Sequence, residues 1–457
     1  MVRVHHTFDA VVIGAGTAGL SAFKEIRQHT DNAILVQEGP LGTTCARTAC
    51  MPSKSLLHTA KLYEERKKFP SNGIHGSEHL HINFPEALKA VRRKRDHFVE
   101  STIEGMDSFK EFIVDGRAKF ETPTKLRVDD KLFHTRATII ATGSRPVIPS
   151  LFKPYKEDVI TSDDLFEMRD LPERIAVIGL GPVGMEMAQA LSFMGVDVLA
   201  INRSESLGHI KDSKINATIL RKLNETMEVW LDADYSVEPL DKGYRVCAGN
   251  RSKEVDAFFV ATGRTPNLDD MGLKQLGVPM DSHGVPHYNA RTMQVNGSPI
   301  FMAGDVTDER AVLHEASNEG RRAAIHAIYP DKEPTPRYPR LEIIFTEPSI
   351  ALIGDTAYAL RNNGVITGQA DFSNQGRAVL EERNHGRIHI YADADDGLLR
   401  GAELMCPDGE HIAHFLSLAL SRHLTVKHLL EAPFYHPTIE EGLKTACKDA
   451  LKQLKAA

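Results

Sequence analysis

The sequence predicts an α/β chain: two βαβ halves followed by a smaller α+β domain. Three observations predict it. Two short β-branched runs within residues 1–270 each lead into a glycine-rich turn, a helical stretch and a second apolar run. Each of these units has a companion apolar segment downstream that ends in glycine. After the crowded prolines Pro330, Pro334, Pro336 and Pro339, strands and helices alternate in a different pattern.

In the first unit Asp9-Ala-Val-Val-Ile13 reads as a strand and Gly14-Ala-Gly16-Thr-Ala-Gly19 as a tight turn. The stretch to Gln28 reads as a helix and Ala33-Ile-Leu-Val-Gln-Glu38 as a second strand with an acid at its end. The second unit repeats this with Arg174-Ile-Ala-Val-Ile178, Gly179-Leu-Gly181-Pro-Val-Gly184, a helix to Met194 and the strand Asp197-Val-Leu-Ala-Ile-Asn202. The companions are Thr138-Ile-Ile-Ala-Thr-Gly143 and Phe258-Phe-Val-Ala-Thr-Gly263. Boundaries fall at Pro146–Pro154, after Gly263-Arg-Thr-Pro266-Asn267 and at Pro330–Pro339. Beyond the last, segments beginning at Glu342 and Arg387 read as strands and His411 to Arg422 as an apolar-faced helix.

The bulk properties narrow the function. The chain has 457 residues, enough for about three domains. A net charge of -7 excludes a chain-wide basic footprint for nucleic acid. The densest positive run, Arg92-Arg93-Lys94-Arg95, reads as a solvated helix face. No apolar stretch reaches the ~18 residues of a membrane span, and the N-terminus lacks a secretion signal. Five cysteines, an odd number, argue against a disulfide scaffold and for a reducing, cytoplasmic setting with one catalytic pair.

Both glycine turns suit a dinucleotide, which makes the two halves Rossmann-like. The first glycine permits the turn, the second lets backbone approach a pyrophosphate, and the third lets helix pack on strand. The helix N-terminus then offers unpaired N–H groups to the phosphates. Glu38 is placed to accept from a ribose diol. In the second unit Asn202 is read at the place of Glu38, with Arg203 beside it. Asn and Arg tolerate or attract a 2′-phosphate that an acid would repel, so NAD and NADP both stay open.

Cys45 and Cys50 bracket Ala46-Arg-Thr-Ala49 and precede Met51-Pro-Ser-Lys54. Five residues of regular helix rise about 7.5 Å. A disulfide spans ~4.4–6.8 Å between Cα atoms. A bridged pair therefore requires a loop or a bent first helical turn, which also lowers a thiol pKa. Pro52 suits an early helix position. Cys247, Cys406 and Cys447 read as inert single thiols.

These motifs, together with Ala141-Thr-Gly143, Glu186, Ala261-Thr-Gly-Arg-Thr-Pro-Asn267, Ala303-Gly-Asp305 and His436-Pro-Thr-Ile-Glu-Glu441, resemble the pyridine nucleotide–disulfide oxidoreductases. The likeness covers nearly the whole chain and is strongest to the dihydrolipoamide dehydrogenase branch. It implies an FAD-binding domain over 1–150 and 268–335, an NAD(P)-binding domain over 151–267 and a C-terminal dimerisation domain over 336–457. FAD would lie on Gly14, Gly16 and Gly19, with Glu38 on its ribose and Gly304 and Asp305 on its ribityl chain. Ala118 and Gly143 are further expected cofactor contacts. NAD or NADP would lie on Gly179, Gly181 and Gly184, with Asn202, Arg203 and Gly263 nearby. Lys54 and Glu186 resemble the family's ion pair beside the flavin. Cys45 and Cys50 would be the redox disulfide, and His436, oriented by Glu441, the base that serves the other subunit of a homodimer. The substrate would be a small dithiol or disulfide, or a lipoyl-bearing protein.

Four departures from that branch stand out. Ala46-Arg-Thr-Ala49 replaces Leu-Asn-Val-Gly, Pro182 stands at a gating position, Phe434 replaces a second His, and Asn202 replaces an acid. Two alternatives therefore remain: an NADPH-dependent disulfide reductase resembling glutathione reductase, and a non-catalytic flavoprotein redox sensor. A mercuric reductase would carry an extra C-terminal cysteine pair, where only Cys447 stands.

Overall fold

The computed structural model describes residues 7–454. The chain forms two compact units. The first comprises the segment ending at Pro52, Arg92–Val147 and Arg264–Arg337; the second comprises Ser53–Val91, Ile148–Gly263 and the segment from Tyr338 onward.

The first unit is built on a nine-stranded sheet. Its middle is parallel: Thr7–Ile13 pairs with Ala33–Gln37 on one side and Lys131–Ile140 on the other. Alternating side chains of these strands feed two cores. Ala10, Val12 and Ile139 face the helices Thr17–Ile26 and Leu313–Ile328, contacting Phe23, Ile26 and Ala323. Val11, Ile13 and Ile140 face Phe120, Leu126 and Val285. A parallel sheet covered on both faces gives the unbroken apolar runs of the sequence. The segment Ala118–Ile140 returns through an antiparallel excursion of three strands before its last residues join the parallel sheet.

In the second unit the parallel sheet runs Glu228–Trp230, Asp197–Ile201, Arg174–Ile178, Ala257–Val260, Val159–Ile160. Ile175, Val177 and Phe259 pack with Met187 and Leu191 of the helix Pro182–Met194, and Ala176, Ile178 and Phe258 with Phe152 and Trp230. The C-terminal part is a five-stranded antiparallel sheet, Leu341–Ile344, Ser349–Gly354, Leu399–Cys406, Arg387–Asp393, Val365–Asp371. Its Ile388, Ile390 and Leu404 pack with the helices Gly409–Ser421 and Glu441–Leu454. The run Arg92–Arg95 lies in the helix Phe84–Glu104, with Arg93 and Lys94 exposed.

Candidate active site

The first glycine loop is held by two close approaches. Gly14 sits at φ +104, and a Cβ there would fall 2.4 Å from the Ala141 carbonyl oxygen. A Cβ on Gly19 would fall 1.8 Å from the Gly14 oxygen. Around Gly16 no atom lies within 4 Å of that position, so backbone faces open space there. Next to the loop is a cavity of about 310 Å³ lined by Gly14, Gln37, Glu38, Arg117, Ala118 and Arg145, among others. This space fits a dinucleotide: glycine backbone at one wall, and an exposed acid, Glu38, 3.9 Å from the Arg117 guanidinium.

Gly304 and Asp305 are not among the residues lining that cavity. Ser144 donates to Asp305 Oδ2 at 3.1 Å, and Arg264 holds Ser144 by its hydroxyl and its carbonyl. The Gly304 N–H donates to Glu319 Oε2 at 2.9 Å. Glu319 is fully buried, and burial pushes its carboxyl up to about 7 against the pull of that N–H and of Arg337. Ser144, Arg264 and Glu319 escaped the sequence reading. Ser144 and Arg264 each directly follow a quoted glycine, at Gly143 and Gly263.

Cys45 lies in a one-turn helix, Thr44–Arg47, whose N-cap Thr43 accepts from the Ala46 N–H. Thr48, at φ -132 and ψ 0, interrupts the helical path. Cys50 opens the helix Cys50–Glu65. The pair thus straddles a break rather than sharing one regular helix, as the rise argument requires. Both thiols are half-buried. Cys406 and Cys447 are buried, and desolvation raises both thiols, Cys447 to about 12. Neither is nucleophilic at neutral pH.

In the second unit the glycine geometry repeats. A Cβ on Gly179 would fall 2.5 Å from the Ala261 oxygen, and one on Gly184 1.8 Å from the Gly179 oxygen. Gly181 caps the helix that Pro182 begins. Gly263, at φ +112, closes the companion segment. This loop, too, fits a dinucleotide phosphate.

The register of the two loops corrects one reading. The Gly14 N–H donates to Val36, and the Gly179 N–H to Ile201, at 2.7 and 2.8 Å. The residue after each, Gln37 or Asn202, accepts from the loop residue between the first two glycines. Ala15 donates to Gln37 Oε1 at 2.6 Å and Leu180 to Asn202 Oδ1 at 3.1 Å. Asn202 is therefore the counterpart of Gln37, and Arg203 that of Glu38. Counting from the strand-end acid misplaced it by one, because the tether before Glu38 looks like any polar residue. Asn202 spends its amide hydrogens on Ser204 and Ser206. Arg203 is exposed, its guanidinium 5.9 Å from the Tyr235 ring centroid.

Lys54 Nζ lies 2.9 and 2.8 Å from the two oxygens of Glu186, which is 5% exposed. The Phe345 N–H also donates to Glu186, at 3.0 Å, and Lys54 Nζ is 4.7 Å from the Phe345 ring centroid. His436 Nδ1 lies 2.9 Å from Glu441 Oε2. Desolvation, the largest single influence, favours the neutral acid, but the bonds from His436 and the Thr438 N–H together with the charges of His436 and Lys444 outweigh it and hold the Glu441 carboxyl below its ordinary value. His436 and Tyr435 are exposed.

A model of the pyridine nucleotide-disulphide oxidoreductase family matches residues 8–320, and one of its dimerisation domain matches residues 341–447. The chain belongs to this family. It is a flavoprotein disulfide oxidoreductase that uses FAD and NAD(P), with a C-terminal dimerisation domain. The chain is 29% identical to the dihydrolipoyl dehydrogenase of Thermus scotoductus, over 98% of each. It is 28% identical to the mercuric reductase of Bacillus cereus, over 97% of this chain and 71% of that one. Its fold matches the HOCl-induced flavoprotein disulfide reductase RclA of Escherichia coli with a TM-score of 0.84, at 20% identity over 97% and 99% of the two chains. Among the described residues no helix is long and apolar enough to cross a membrane.

Proposed function

We propose that the protein is a dithiol–disulfide oxidoreductase of the dihydrolipoyl dehydrogenase type, acting as a cytoplasmic homodimer through Cys45, Cys50, His436 and Glu441. The observation that carries this reading is the helix break at Thr48, which puts Cys45 before the interruption and Cys50 at the start of a long helix. Residues 1–150 with 268–335 would hold FAD, 151–267 the nicotinamide dinucleotide, and 336–457 the dimer contact. FAD would rest on Gly14, Gly16, Gly19, Glu38, Ala118, Gly143, Gly304 and Asp305.

Glu441 fixes His436 through Nδ1, leaving Nε2 to receive a proton. His436, exposed on the dimerisation domain, would serve the partner subunit's cysteines. It deprotonates one thiol of the substrate, whose thiolate attacks Cys45 Sγ and breaks the Cys45–Cys50 bond. Cys50 leaves as a thiolate, favoured by its place at a helix start. The second substrate thiol then attacks the substrate sulfur of the mixed disulfide as its proton passes to the departing Cys45 sulfur. Cys45 is released, and a disulfide product leaves with two electrons fewer and two protons lost. Bound FAD supplies the two-electron acceptor and donor between the reduced pair and the nicotinamide.

A second reading, an NADPH-dependent disulfide reductase, is favoured by Arg203. A cation where the first loop has Glu38 attracts a 2′-phosphate instead of repelling it. The deciding experiment assays the FAD-loaded enzyme on dihydrolipoamide with NAD⁺ and NADP⁺, and on lipoamide, oxidised glutathione and Hg²⁺ with NADH and NADPH. Turnover of dihydrolipoamide supports the first reading, and turnover only on another disulfide with NADPH supports the second. Cys50→Ser should stop either reaction while keeping FAD. Full activity in that variant, or yellow protein inert toward every disulfide, would overturn both.

A further inference from the structure

The strand Leu399–Cys406 buries a carboxylate that the thiol chemistry does not use. Glu403 is 0% exposed, yet both oxygens are fully engaged. Oε1 accepts from the backbone N–H groups of Lys211 and Asp212. Oε2 accepts from the Ala357 N–H and the Tyr391 hydroxyl, each at 2.9 Å. His389 stands directly opposite Glu403 in the neighbouring strand. Its Nδ1 is 2.6 Å from Asp212 Oδ2, which the Tyr391 hydroxyl also approaches at 3.3 Å. The other Asp212 oxygen caps the helix Ser213–Leu223 through the Lys214 and Ile215 N–H groups.

What this network grips is the far end of a loop whose near end is Asn202 and Arg203. The loop is also pinned in its middle. The Gly208 N–H donates to the carbonyl of Leu180, inside the second glycine turn, at 3.0 Å. Asn216 accepts from the Leu207 N–H and donates to the Ile210 carbonyl, both at 2.8 Å. A Cβ on Gly208, at φ +56, would fall 2.4 Å from Ile344 Cδ1, so the loop has little room to shift. A carboxylate is costly to bury unless hydrogen-bonded. Here two of its four donors are backbone N–H groups at the loop's end.

We propose that Glu403, with Tyr391, is a positioning residue for the nicotinamide dinucleotide, fixing the loop 203–210 against the second glycine turn. The dimerisation sheet thereby governs how Arg203 is presented. The inference rests on the reading that Arg203 faces the adenosine ribose and its 2′-phosphate.

The test compares FAD-loaded wild type with Tyr391→Phe, Glu403→Gln and Arg203→Leu. Glu403→Gln turns an acceptor oxygen into an NH₂ group that meets two donors. Tyr391→Phe removes one hydroxyl and tests the same point should the first variant fold poorly. Adenosine 2′,5′-bisphosphate should bind about ten-fold more weakly to Glu403→Gln, by calorimetry. KM for NADPH should rise with kcat unchanged, a split that general destabilisation does not produce. Amide hydrogen exchange over residues 204–211 should quicken in both Glu403→Gln and Tyr391→Phe. Unchanged KM and unchanged exchange in these two variants would overturn the proposal. If Arg203→Leu leaves bisphosphate affinity intact, the reading of Arg203 fails on its own, and the exchange and KM data still decide the anchoring.

Discussion

Lys54 and Glu186 form one ion pair but stand in unequal surroundings. The lysine side chain is 37% exposed and the glutamate 6%. Lys54→Met strands a buried carboxylate with a single remaining donor, the Phe345 N–H. Leaving a buried charge uncompensated costs about 3–5 kcal/mol, and that N–H places the cost near the lower end, ~3 kcal/mol. Glu186→Leu leaves instead a lysine already in contact with water and the N–H of a residue that is 39% exposed. Water keeps the lysine solvated and only the Phe345 N–H loses its acceptor, so the expected cost is about 1 kcal/mol. The double variant should resemble Glu186→Leu alone, with a coupling of ~3 kcal/mol. Urea unfolding at fixed protomer and FAD concentrations measures the order. Equal costs for the two single variants, or simple additivity in the double variant, would refute the reasoning from unequal burial.

Other expectations follow from the same geometry. Gly19→Ala should purify without FAD, because its Cβ meets the Gly14 oxygen; Gly184→Ala should keep FAD and raise KM for the nicotinamide dinucleotide about ten-fold, read from absorbance and steady-state kinetics. Cys406 and Cys447 should resist a thiol reagent at about pH 8 in the folded protein and react once it is unfolded. Glu319, raised to about 7 from an ordinary 4.5, binds a proton in the folded protein that the unfolded chain releases between those values. Its contribution to stability should therefore grow as pH falls through that window, by up to ~3 kcal/mol, and Glu319→Gln should flatten the slope in pH-dependent denaturation.

What the sequence made legible is what repeats locally. Both glycine turns interrupt β-branched runs, so their strands and helices could be placed from spacing, with helix ends shifted by a residue or two. The redox segment was legible because a rise argument demands a break where Thr48 supplies one. The resemblance named Lys54 with Glu186 and His436 with Glu441, and both pairs are hydrogen-bonded. The antiparallel excursion from Ala118 went unread, since its polar, half-buried strands carry no glycine punctuation. The helix Phe84–Glu104 announced itself only through its charges. Glu403 gave no signal at all, because its partners Lys211 and Asp212 lie 192 and 191 positions away. Asn202 was placed one residue off because a side chain that fastens backbone and one that greets a ligand have the same polar character.

That adjacency has a consequence. Gln37 and Asn202 keep the shape of their turns, while Glu38 and Arg203, one residue further on, point a negative or a positive group outward. Shape and sign are separable tasks in neighbouring positions. On the proposed reading of Arg203, the coenzyme this scaffold favours would turn on one surface charge, with no rebuilding of the cradle beneath it.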